Sequence, residues 1–194
     1  MSFFGTSRAA GGWGIVFVVL LLVSAAMVSV PTAADTGDQI VAFYRAHGQV
    51  IVIQQVAGIL ALGAFIAFGL SLPPNRWLRP ALWTFVVTEI ATNLFPLIII
   101  LTNPAAGTAH TLTFIEDLAD AVFFLASALF VSMATLGQPV WLRIAAYAVA
   151  VLVAVRAVAS PFSVTALDQV APIAFVALVL VFSIKLLVRP SSQA

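Results

Sequence analysis

Six apolar runs divide the chain: Trp13–Val30, Val50–Leu70, Pro80–Leu101, Leu112–Leu136, Trp141–Val158 and Val170–Val188. Each is about 18–25 residues long, and at 1.5 Å per residue a helix of that length crosses ~30 Å of hydrocarbon. In lipid the backbone must satisfy its own polar groups, which leaves helices or a closed barrel. The polar–apolar alternation of barrel strands is absent. The expected fold class is therefore all-α, a polytopic bundle of six transmembrane helices forming a single domain over residues 1–194. Only 8% of the residues are charged, against about a quarter in a soluble domain. Six spans with short loops consume nearly the whole length and leave no room for a separate soluble domain.

The basic residues orient the bundle. Arg8, Arg76, Arg79, Arg143, Lys185 and Arg189, six of the eight, fall on one side of a six-span chain. The positive-inside rule assigns that side, with both termini, to the cytoplasm. Asp35, Asp38, Glu116, Asp117, Asp120 and Asp168 fall towards the other side. Trp13, Trp77 and Trp141 stand at the inner ends of spans, where aromatic residues gather at a membrane interface.

Two segments admit further readings. Arg8, the first apolar run and Pro31-Thr32-Ala33-Ala34 resemble a secretory signal with a cleavage site, but the run is longer than the ~7–15 residues of a signal core, which favours a retained helix. Asp35-Thr36-Gly37-Asp38 supplies helix-start residues before Gln39–His47, and the segment 38–47 reads as a short interfacial helix on the outer surface. In addition, Leu72, Trp77-Leu78-Arg79 and Ala81 recur 64 positions on as Leu136, Trp141-Leu142-Arg143 and Ala145. The match is as compatible with duplication of a hairpin as with two inner turns that each want Trp and Arg at the interface.

Ionisable residues within spans are the functional candidates, because a charge in lipid costs several kcal/mol. Glu89 lies about 14 Å along the third span, near the midplane. Asn93 follows one turn later, and Pro96 removes the N–H that would bond the Thr92 carbonyl. Glu116 and Asp120 share a face of the fourth span, with Asp117 beside them. Arg156 of the fifth span reaches the outer third of the membrane, between the headgroups and Asp120, and is expected to pair with Asp120 or Asp117. Gln54 and Gln55 enter from the second span, with Gly58 below them. The expected arrangement is an outward-facing polar cleft formed by Gln54, Glu89, Asn93, Asp117, Asp120 and Arg156. The competing reading is that these groups glue helices together.

Other chemistries find little support. There are no cysteines and only two histidines, both near the outer surface and without metal-ligand spacing. No catalytic residue, cofactor site or metal site is expected. A net charge of +1 implies no nucleic-acid partner.

The stretch Val41-Ala42-Phe43-Tyr44-Arg45-Ala46-His47, followed by Gln54-Gln55 at the head of an apolar span, resembles uncharacterised bacterial multi-pass membrane proteins. The resemblance covers about the first half of the chain. It implies a bacterial inner-membrane location and carries no activity or functional residue with it. The leading expectation is a protein of the cytoplasmic membrane that binds or transports a small solute or ion. The alternatives are an accessory or scaffold subunit held by a membrane-protein partner and, last, an intramembrane enzyme.

Overall fold

The computed structural model describes residues 7–159 and 167–188. Within them the chain forms six helices: α1 Ser7–Ala25, α2 Gly37–Ser71, α3 Leu78–Thr102, α4 Ala106–Ala134, α5 Val140–Ala159 and α6 Val170–Val188. Five are long and apolar enough to cross a membrane. The exception is α4, which has the length but carries Glu116, Asp117 and Asp120. Each helix packs on the next, α1 and α6 close the ring, and α2 touches α4 across it. One end holds the Arg76–Arg79 and Arg143 turns and is here the basic end; the other, with Asp35, Asp38 and the head of α4, is the acidic end.

The helix bounds differ from the apolar runs in two instructive places. Residues 38–47 do not form a separate interfacial helix. They are the first turns of α2, which runs unbroken for 35 residues, about 52 Å. Thr36 caps it through a capping box with Gln39, and Gly48 alone is too weak a breaker to interrupt a packed helix. The apolar run from 13 to 30 is shifted as well: α1 starts at Ser7 and stops at Ala25. The Val28 carbonyl accepts a hydrogen bond from Gln54 Nε2 at 3.0 Å, so this tail of the run is a strap laid on α2 and not a last helical turn. Helix α3 continues through Pro96 and ends at Asn103, whose left-handed backbone (φ 43°) turns the chain directly into α4.

Packing is aromatic toward the basic end. Phe65 is fully buried and meets Phe17, Phe68, Phe85 and Phe130, the closest ring centroids being 4.0 Å apart. Phe175 and Phe182 extend the cluster onto α6. Lipid chains are as apolar as these side chains, so close contact holds the helices together here, with little help from water exclusion. The same logic explains glycine at the ring closure, where Gly11 and Gly14 of α1 bring its backbone onto Ser183 of α6. Large apolar residues such as Leu101, Val87 and Ile173 face outward.

A second, smaller apolar cluster of Ile40, Tyr44, Ile51, Ile99 and Ala109 closes the acidic end. Between the two clusters the residues on α2, α3 and α4 turn polar. The repeated turns are alike in part: Trp77 and Trp141 are exposed and Leu78 and Leu142 buried, but Leu72 is buried where Leu136 is exposed. The Lys185 Nζ donates to Gln138 Oε1 in the α4–α5 turn at 2.7 Å.

Candidate functional site

The polar tier takes one or two turns from each of several helices. On α3, Asn93 lies one turn beyond Glu89, and its Nδ2 donates to both the Glu89 backbone carbonyl (2.7 Å) and Glu89 Oε1 (3.0 Å). Its other amide atom, Oδ1, lies against α2 where Gly58 provides room. A Cβ at Gly58 would come within 2.8 Å of that oxygen. Gly58 thus lets the third helix press its polar turn onto the second. Asp120 of α4 lies within electrostatic reach of Glu89.

Arg156 is the electrostatic hub. Its Nη1 donates to Asp120 Oδ2, and its Nε lies 3.3 Å from Asp168 Oδ1. The guanidinium carbon stands 3.8 Å above the Phe124 ring, a cation–π contact that covers one face of the charge. The expected Asp120–Arg156 pair is therefore present, with Asp168 as a second acid that spacing alone does not reveal.

Asp117 has a different task. Its Oδ2 accepts the Ala33 N–H at 2.8 Å, and a ring nitrogen of His110 lies 3.1 Å from the Ala33 carbonyl. Together they pin the strap between α1 and α2 to the head of α4. Gln54 is also spent on this strap, through Val28, while Ser24 Oγ donates to the Gln54 carbonyl at 3.1 Å. Its neighbour Gln55 is buried on the stripe with Tyr44, Ile51 and Gly58. Of the six candidates, Glu89, Asn93, Asp120 and Arg156 belong to one tier, whereas Gln54 and Asp117 hold its cover. Asp117→Ala should release that cover. Losing one charge-assisted hydrogen bond of about 1.5 kcal/mol should speed proteinase K cleavage at Thr32–Ala34 roughly tenfold, measured on reconstituted vesicles.

The tier also contains oxygens that no group among the described residues satisfies. Tyr44 Oη on α2 and Thr113 Oγ1 and Glu116 Oε2 on α4 are buried without a hydrogen-bond partner. Glu116 and Asp117 both act electrostatically on the Tyr44 phenol, which places the three groups in one neighbourhood. Tyr44 and Thr113 carry no charge at neutral pH and so leave no ionic signature in the sequence. A period-3.6 alignment of Thr113 with Glu116, one turn apart, is the signal that was available.

Among the described residues no three His, Asp or Glu side chains are placed to hold an ion. His47 stacks on Phe43 at 4.5 Å, with its Nδ1 3.1 Å from the Phe43 carbonyl. The chain matches no protein-family model, no curated protein and no solved structure.

Proposed function

We infer that all six helices cross the bilayer, α4 included, with both termini and the basic end in the cytoplasm and the acidic end outside. The protein then serves a bacterial inner membrane as a small binding or transport protein, and its polar tier takes up a small solute or ion from the outer side. The clustering of arginines in the α2–α3 and α4–α5 turns supports the orientation, and the packing of α1 on both α2 and α6 supports a retained first span.

One observation carries the functional reading: Tyr44, Thr113 and Glu116 bury oxygens that have no hydrogen-bond partner among the described residues. Lipid cannot satisfy them, and each unmade bond costs on the order of 1–3 kcal/mol. Water or a solute entering the tier removes that cost. Glu89, held by Asn93, is the proton- or cation-responsive group, and Arg156 is the latch between α4, α5 and the segment before α6.

Proteoliposomes loaded with the pH indicator pyranine test this directly. Under an imposed potassium or sodium gradient the wild type should move protons or cations faster than empty vesicles. Glu89→Gln should abolish the pH dependence and slow the flux at least tenfold. A Glu89→Gln protein with unchanged flux and unchanged pH dependence would remove the mechanism.

The accessory-subunit reading has one feature in its favour. Gly63 is turned outward with open space around it, as at a helix–helix contact, whereas Gly58 and Ser127 are buried within the bundle. Gentle purification from native membranes separates the two readings, since a stoichiometric partner would make the subunit role the better one.

A further inference from the structure

Two recesses lie one after the other along the seam between α2 and α3, on the outside of the bundle. The larger, of 1020 Å³, opens at the acidic end among Arg45, His47, Gln49 and Asn103 and runs over Val52, Ile53 and Ile100. The second, a separate recess of 380 Å³, lies further along at Ile59, Gly63 and Ile66 on α2 and Ile90, Leu94 and Leu97 on α3. On α2, Arg45, Gly48, Val52, Ile59, Gly63 and Ile66 recur at intervals of three, four and seven and so share one face. From Arg45 to Ile66 that face is about 32 Å long.

Two missing side chains hollow the seam. A Cβ at Gly63 would meet nothing within 4 Å, and one at Gly48 would touch only Ile100 Cγ2 at 3.7 Å. Polarity is graded along it: charged and amide groups at the mouth, then an almost wholly apolar floor broken by Asn93. Arg45 Nε donates to Asn103 Oδ1 at 2.9 Å, which fixes the guanidinium across the seam from α2 to α3. Its two terminal nitrogens make no hydrogen bond among the described residues and remain for an anion.

We propose that this seam holds one anionic phospholipid, its phosphate on Arg45 and an acyl chain laid along α2 and α3 toward Gly63. A hydrophobic length with a single cation at its mouth matches the shape and charge of that molecule. A neutral lipid would leave Arg45 without a counter-charge. Tyr44 and Asn93 of the polar tier border the two recesses while Glu89 and Arg156 do not, and the test reads retained lipid, which the flux through the tier does not enter.

The test uses the whole protein reconstituted in vesicles of equal phosphatidylglycerol and phosphatidylcholine, extracted gently and weighed by native mass spectrometry. One lipid should be retained, with phosphatidylglycerol favoured about fivefold, the worth of one arginine near a membrane surface. Arg45→Gln should keep a lipid but lose the preference, and Gly63→Phe should fill the second recess and lose the lipid. A phosphatidylglycerol with a diazirine near the chain end should label residues 59–66 or 90–97, a readout that needs no variant. Equal retention of the two lipids, an unchanged preference in Arg45→Gln, or label spread evenly over the helices would overturn the proposal. A protein partner found in the seam would do the same.

Discussion

Arg156→Met should lower the stability of the bundle by about 2–4 kcal/mol, read as a fall in the thermal midpoint in detergent. The side chain is nearly buried, at 12% exposure, and answers two acids, Asp120 and Asp168, which are 33% and 38% exposed. Removing it leaves two carboxylates near one another with no cation between them. Breaking a fully buried pair costs ~3–5 kcal/mol, and the partial access of both acids to solvent reduces that figure. Methionine keeps most of the volume against Phe124 but ends the cation–π contact. The companion Arg156→Met, Asp120→Asn should recover a large part of the loss, because the penalty comes from the stranded charge. If the double variant is no better than the single one, packing on Phe124 matters more than charge.

Gly11→Leu should be comparably severe, at about 3 kcal/mol, for a steric reason. Its Cβ would stand 2.5 Å from the Ser183 carbonyl oxygen and 2.9 Å from the Leu187 nitrogen, both backbone atoms of α6. Helix backbone cannot fold away as a flexible side chain can, so α1 must move off α6 and the ring opens at its closing contact. Overpacking of this kind costs ~1–3 kcal/mol and occasionally more. Gly12 provides the control. A Cβ there meets nothing within 4 Å, and Gly12→Leu should stay within about 0.5 kcal/mol of the wild type, as surface changes do. Thermal unfolding of the two variants side by side is the measurement. Equal midpoints would mean that α1 and α6 are not tightly apposed.

Much of this architecture can be read from the residues before any coordinates. Six apolar runs mark six helices because a bilayer allows the backbone few alternatives. The Glu89–Asn93 contact follows from i, i+4 spacing on one helix, and Asp120–Arg156 follows from opposite charges placed towards the same end of neighbouring spans. What escaped depends on helix phase and on loops. Gln54 and Gln55 are adjacent, yet about 100° apart around the helix; one ties down the strap and the other faces the interior. Asp117 binds a backbone N–H at Ala33, a partner with no side-chain signature. The segment 38–47 looks interfacial by composition, and nothing in its residues says that the helix continues into the membrane. Lys185 finds Gln138 because the α4–α5 turn folds over the end of α6, a placement that only packing decides.

The interruption of the apolar core by a polar tier has a mechanical consequence. The phenylalanine block at the basic end and the cluster around Ile40 and Ile51 share few side chains, so the two need not loosen together. Regions with fewer apolar contacts open locally at lower free energy than a densely packed core. The phenylalanine block can act as a fixed fulcrum. The long α2, anchored in it through Phe65 and Phe68, becomes a lever whose far arm carries Tyr44. A small tilt of that arm would displace Tyr44 more than it displaces Phe65, and would leave the aromatic packing at the basic end undisturbed.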